Sequence, residues 1–140
     1  MSDAAVTALS HIAIATPDAD ALAATYIAAL GAVRGAEEVL DDGGLRVVFL
    51  HAGPVTFELL QPLKPTHTVA QFLEKRGPGL HHVSLEVADI GGQLATAKAS
   101  GARLIDEAPR PGAHGTQVAF LHPKSFGGVL LELCQEPKRD

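Results

Sequence analysis

Apolar and polar positions alternate through the first stretch of the chain. Between Leu9 and Thr16, His11, Ala13 and Ala15 fall on one face and Ile12 and Ile14 on the other, the period of a half-buried strand. Pro17-Asp18 closes that stretch, and the Ala/Leu-rich run from Ala19 to Leu30 has high helix propensity, with Gly31 as its stop. Val33 to Leu40, Leu45 to His51 and Val55 to Gln61 read as three more strands. They are parted by the turn signals Asp41-Asp42-Gly43-Gly44 and Ala52-Gly53-Pro54. The first half is thus predicted as β-α-β-β-β.

Pro62 and Pro65 mark a connector, after which Thr68-Val69-Ala70-Gln71 with Phe72 and Leu73 predicts a short capped helix reaching Lys75-Arg76-Gly77. The pattern then starts again. Leu80 to Val87 reads as a strand, Ile90 to Ser100 as a helix stopped at Gly101, and Arg103 to Ile105, Gln117 to Leu121 and Gly128 to Cys134 as three further strands. Between the strands Arg103 to Ile105 and Gln117 to Leu121, Pro109-Arg110-Pro111-Gly112-Ala113-His114-Gly115 is too rich in Pro and Gly for regular structure. It predicts either a substrate-covering loop or a plain surface excursion. The expected organisation is one domain: a first module over about residues 8–62, a connector helix over about 66–77 and a second module over about 79–136.

The halves share more than an element order. His11 in Leu9-Ser10-His11-Ile12 returns as His82 in Leu80-His81-His82-Val83, and Glu58 in Phe57-Glu58-Leu59 returns as Glu132 in Leu131-Glu132-Leu133. From position 11 to 82 and from 58 to 132 the shifts are 71 and 74 residues. A period of two places His82 with Ser84 and away from Val83 and Leu85, Glu58 away from Phe57 and Leu59, and Glu132 away from Leu131 and Leu133. All four leave the apolar stripe. A carboxylate inside apolar strands is costly unless paired or bound to a cation. Two imidazoles and two carboxylates therefore predict one shared divalent metal site, suited to Co²⁺, Mn²⁺, Ni²⁺ or Zn²⁺, with positions left to water or substrate. His81 is expected on the helix-packed side, and His51 and His67 as structural residues.

Composition narrows the function classes. With 140 residues the chain can bury a core of its own. Its single cysteine, Cys134, excludes an intramolecular disulfide and a Cys-x-x-Cys thiolate site, which fits a reducing compartment. Met1 to Leu9 lacks a signal or transit pattern, and no apolar run approaches the roughly 20 residues of a membrane helix, so a cytoplasmic protein with no membrane partner is expected. A net charge of −5, few aromatics and no Lys/Arg stripe argue against nucleic acid as a partner.

With these residues placed, the chain resembles the vicinal-oxygen-chelate superfamily, which includes glyoxalase I, extradiol dioxygenases and antibiotic-resistance proteins. The resemblance implies an α+β fold in which two tandem β-α-β-β-β modules form a cupped mixed sheet with helices on its outer face. Longer strings are similar to the methylmalonyl-CoA epimerase family within it. They are Phe72-Leu73-Glu74-Lys75-Arg76-Gly77-Pro78-Gly79-Leu80-His81-His82, Arg103-Leu104-Ile105-Asp106-Glu107, Pro109 to Gly115, Phe120-Leu121-His122-Pro123-Lys124-Ser125 and Gly128-Val129-Leu130-Leu131-Glu132-Leu133. The similarity runs from Leu9 to Glu136. It implies His11, His82 and Glu132 as metal ligands, Glu58 in a fourth position where some relatives have Gln, and cobalt as the first metal to consider. The implied reaction interconverts (2R)- and (2S)-methylmalonyl-CoA through loss and return of the weakly acidic C2 proton, with the metal as a Lewis acid for the enolate.

Inversion needs a proton delivered to the opposite face of C2. The resemblance implies Glu132 as one base. Some relatives carry a Glu on the third strand, but Leu45-Arg46-Val47-Val48-Phe49-Leu50 has none, which leaves the second group open among a held water, His114 and His122. Arg110 and Lys124 are candidates for the CoA phosphates, and Ser125 for the substrate carboxylate or a simple turn, while Lys75 and Arg76 read as a solvated helix end. The same His/Glu set would serve a glyoxalase I-like lyase or isomerase acting on glutathione hemithioacetals, and the fold also serves small-ligand binders without catalysis. An exposed edge strand or face makes a homodimer the expected assembly.

Overall fold

A computed structural model describes residues 5–138. They form two compact units, one of His11–His81 and one of His82 onward together with the described residues before His11. In chain order the elements are β1 (Val6–Ala15), α1 (Ala19–Leu30), β2 (Val33–Leu40), β3 (Leu45–Ala52), β4 (Val55–Pro62), α2 (Thr68–Arg76), β5 (Gly79–Val87), α3 (Ile90–Ala99), β6 (Arg110–Pro111), β7 (Gln117–Leu121) and β8 (Leu131–Gln135).

In the first unit the strand order is β2-β3-β4-β1, with β1 parallel to β4 and the other neighbours antiparallel. α1 lays Ala19 and Ala23 on Val48, Leu50 and Leu59, and these small side chains let the helix lie close to the sheet. Its first turn is held twice. The Asp18 carboxylate accepts from the Ala21 N–H, and Gln61 Oε1 at the end of β4 accepts from the Ala19 N–H at 2.9 Å. Gly31, at φ 68°, closes the helix with an N–H bond to the Ile27 carbonyl. On this helix-facing side Arg46 holds Asp20 and Glu37, each at 2.9 Å, and Arg34 joins the same two carboxylates.

The second unit repeats the plan. Its order is β5-β8-β7-β6, with β5 parallel to β8, and α3 packs Ile90 and Leu94 on Ala119, Leu121 and Leu133. The Asp89 carboxylate accepts from the Gly92 N–H, and Gln135 Oε1 accepts from the Ile90 N–H at 2.8 Å. The duplication extends to register: Ala13 lies opposite Glu58, and Ser84 lies opposite Glu132.

Four local expectations change. No strand spans Arg103–Ile105. Leu104 makes one bridge to Leu121, and the Asp106 carboxylate takes the Phe120 N–H at 2.8 Å, so side chain replaces ladder there. The edge partner of β7 is instead Arg110–Pro111, where a proline without an N–H is tolerated. The Pro-rich loop is therefore not wholly irregular, and it also holds a 3₁₀ turn over Ala113–Gly115 fixed by Thr116 Oγ1 on the Ala113 carbonyl. β8 begins at Leu131 because Gly127 and Gly128 adopt φ 67° and 88°, which no strand allows. The cap of α2 is His67 rather than Thr68: its Nδ1 accepts from the Val69 N–H while Nε2 faces Asp41 at 2.7 Å.

Candidate metal centre

Each unit presents one His–Glu pair on the sheet face away from its helix. In the first, Leu59 is buried under α1, so its neighbour Glu58 points the other way. His11 comes from two residues before Ala13, the position opposite Glu58, and its Nδ1 lies 2.9 Å from Glu58 Oε2. A carboxylate on Nδ1 fixes the ring's orientation and tautomer and leaves the Nε2 lone pair for a ligand. His11 is 6% exposed.

In the second, Leu133 packs under α3 and Glu132 points away from it. His82 Nε2 lies 3.8 Å from Glu132 Oε2, too far for a hydrogen bond, so ring nitrogen and carboxylate sit side by side as two donors. They are 5% and 7% exposed. Phe120 is in register with Glu132 on β7 and meets the His82 ring edge-on at 5.1 Å. Ser84, fully buried opposite Glu132, has no hydrogen-bond partner for Oγ among the described residues.

The other candidates are dispersed. The Arg110 guanidinium lies 5.3 Å above the Phe120 ring and bonds Asp106, which brings a cation beside the pair's aromatic wall. His114 is exposed and sits at φ 55°, a left-handed conformation uncommon outside glycine. Lys124 is exposed on a 3₁₀ turn that the His122 Nδ1 caps, and Ser125 Oγ accepts the Arg103 N–H at 2.9 Å, a turn-fixing use. His51 bonds Thr56, and His81 meets the Phe72 ring edge-on at 4.9 Å, both structural settings. Lys75 and Arg76 close α2 in its exposed last turn, with Arg76 over the Phe72 ring.

Sequence reasoning missed Phe120, Gln61 and Gln135. The two glutamines recur with the same 74-residue shift as the two glutamates, which was the available signal. A cavity of about 560 Å³ in the second unit is lined by Gln93, Thr96 and Phe126 with Leu85, Leu121 and Leu133. Those leucines belong to the helix side of the sheet, so the cavity is not part of the His82–Glu132 face.

Residues 10–120 match the model of the glyoxalase/bleomycin resistance protein/dioxygenase superfamily. The chain is 45% identical over 129 residues to the ethylmalonyl-CoA/methylmalonyl-CoA epimerase of Cereibacter sphaeroides, covering 91% of this chain and 96% of that protein. Among solved structures, methylmalonyl-CoA epimerase from Mycobacterium tuberculosis is similar with a TM-score of 0.90 at 34% identity, over 99% of this chain and 93% of that one. A variant of Streptomyces coelicolor methylmalonyl-CoA epimerase in complex with 2-nitronate-propionyl-CoA is similar with a TM-score of 0.89 at 33% identity, over 96% of this chain and all 100% of that one.

Proposed function

The chain belongs to the glyoxalase/bleomycin resistance protein/dioxygenase superfamily and has its α+β fold, and we propose that it is an isomerase that interconverts the C2 epimers of methylmalonyl-CoA. The observation that carries the choice of substrate is the 45% identity to an ethylmalonyl-CoA/methylmalonyl-CoA epimerase across 91% of the chain. The two His–Glu pairs alone fit several reactions. The Streptomyces coelicolor complex adds chemical support, because a nitronate carbon is planar, the geometry C2 takes once its proton has left.

His11, His82 and Glu132 form the donor group for one divalent ion, with Glu58 in the fourth position beside His11. The fit rests on donor chemistry: three buried groups, two of them imidazoles and one a carboxylate whose burial a cation would offset. Cobalt is the first ion to test, before manganese, nickel and zinc. When bound, the ion supplies Lewis-acid stabilisation of negative charge on the thioester oxygen. Glu132 takes the C2 proton on its carboxylate. Phe120 and the buried strands around the pair exclude water from that carboxylate. Arg110 and Lys124 are the cations for the CoA phosphates in this reading, and His114 borders the acyl end, while Ser125 keeps its turn-fixing bond.

The test uses the metal-loaded protein and one epimer of methylmalonyl-CoA in deuterated water. Inversion at C2 with incorporation of deuterium is expected, whereas turnover of methylglyoxal with glutathione is not. Absence of exchange with each of the four metals would refute the assignment. The protein acts as a cytoplasmic homodimer in this scheme. The exposed apolar run Ile27, Leu30 and Val33 supports a dimer, and light scattering checks it. Among the described residues no helix is long and apolar enough to cross a membrane.

A further inference from the structure

We propose that the cavity between α3 and the sheet of the second unit binds a small phenol-type ligand, an aromatic ring that carries an O–H donor. The site is independent of the epimerase reading. The two copies of the module show where it comes from. From Asp18 to Asp89, the residues that cap α1 and α3, the shift is 71 residues, the same as from His11 to His82. By that shift Leu22 corresponds to Gln93 and Tyr26 to Ala97. By the 74-residue shift of the glutamates, Phe57 corresponds to Leu131. The register agrees, since Phe57 lies opposite Leu50 on β3 and Leu131 opposite Leu121 on β7.

In the first copy this flank of the helix is filled. Tyr26 and Phe57 meet edge to face with ring centroids 5.1 Å apart, and with Leu22 they pack on the buried core. The second copy distributes its bulk differently. Along the line of contact its side chains are larger, Ile90 and Leu94 in place of Ala19 and Ala23, but beside that line the two rings give way to Ala97 and Leu131. Gln93, Ala97 and Leu131 all line the cavity of about 560 Å³. It therefore lies where the first copy holds its ring pair, and its size is that of a small-ligand site.

The lining selects the ligand. Leu85, Leu121, Leu131 and Leu133 give aliphatic walls, and Phe126 gives a ring for an edge-to-face contact like the one Tyr26 makes in the first copy. Walls of this kind accept an aromatic ring. None of the described residues that line the cavity is charged, which disfavours a carboxylate or an ammonium group. Gln93 supplies the polar contact. Its Oε1 is buried and has no hydrogen-bond partner among the described residues, whereas the exposed lining residues Ser100 and Ser125 already bond the Ala97 carbonyl and the Arg103 N–H. A buried acceptor without a donor is unfavourable, and the terminal torsion of a glutamine is soft enough to turn the oxygen onto an incoming O–H. A ring with one O–H donor meets both requirements, and an unsubstituted hydrocarbon meets only the first.

The test is a titration of the full chain, with Zn²⁺ present, by phenol, benzene and benzoate, followed by ¹H–¹⁵N NMR. Phenol is expected to move the amide resonances of α3, Leu121 and Leu133 saturably and to bind roughly 2- to 10-fold more tightly than benzene, the worth of one hydrogen bond. Benzoate is expected to leave them unmoved. Gln93→Leu, which installs the residue of the first copy, brings phenol down to the affinity of benzene. Ala97→Tyr, which restores the first copy's ring, abolishes binding of both, and Ala97→Leu, a smaller filling that guards against misfolding, weakens both; melting temperatures report that each variant is folded. No saturable shift up to the solubility of phenol, equal shifts in α1, or wild-type affinity in the folded Ala97 variants overturns the proposal. Cavity resonances that move when the ligand-free protein is diluted identify a second copy of the chain as the occupant and overturn it as well.

Discussion

Ser84 and Ala13 hold the same place in the two copies of the module, each opposite the glutamate of its pair, yet one carries a hydroxyl and the other a methyl. Ser84 is wholly buried and its Oγ has no partner among the described residues, so the hydroxyl loses water without regaining a bond. Ser84→Ala, which makes the second copy like the first, is expected to raise the unfolding free energy of the metal-free protein by on the order of 1 kcal/mol in a urea titration. Cys134 shows burial acting on a thiol. Burial pushes it up to about 11, so it stays protonated at neutral pH and is expected to react with a thiol-labelling reagent only after unfolding. Labelling of the folded protein at the rate of the denatured chain would contradict this. At this scale the two His–Glu pairs were legible because rare residue types recur at nearly equal shifts. Gln61 and Gln135 obey the same shift, but a neutral amide carries no metal or acid/base signal and was passed over.

Elements were legible where period and punctuation agreed. α1 runs from Ala19 to Leu30 as expected, because Asp18 caps one end and Gly31 stops the other. They were not legible where a side chain competes with the backbone, as Asp106 does for the Phe120 N–H, or where a two-residue strand is too short to show a period, as in β6. The link between α1 and the sheet also depends on charge. Hydrogen bonds from Arg46 and then Arg34 hold Asp20 at about 2, below its ordinary 3.8, and Arg46 lowers Glu37 in the same direction. A carboxyl depressed in the folded state stabilises fully above its unfolded value, and the contribution disappears as pH falls through the folded one. The urea midpoint is therefore expected to decline between pH 4 and pH 2, and Arg46→Met is expected to flatten that part of the profile by removing the partner. Both carboxylates are exposed, which keeps the effect modest and makes it weaken with salt.

At the scale of the whole molecule the repeat leaves one alternative to decide: one ion for two His–Glu pairs, or an ion for each. A pair alone offers two protein donors, fewer than the three or four that hold a transition metal firmly. In the first unit, moreover, His11 already has Glu58 on Nδ1, which leaves one ring nitrogen for a ligand. One ion per chain is thus the expected stoichiometry by elemental analysis. A ligand that binds the folded state alone, at a hundred times its Kd, stabilises by about 2.7 kcal/mol, which for a domain of this size is on the order of 8 °C in melting temperature. Under the single-ion arrangement His11→Ala and His82→Ala, in different halves of the chain, each remove the whole metal-dependent shift. Two independent ions would leave each variant with about half of it and two ions per chain in the wild type. Equal and complete loss in both variants, with stoichiometry near one, is what a shared centre requires, because each half contributes donors that the other cannot replace.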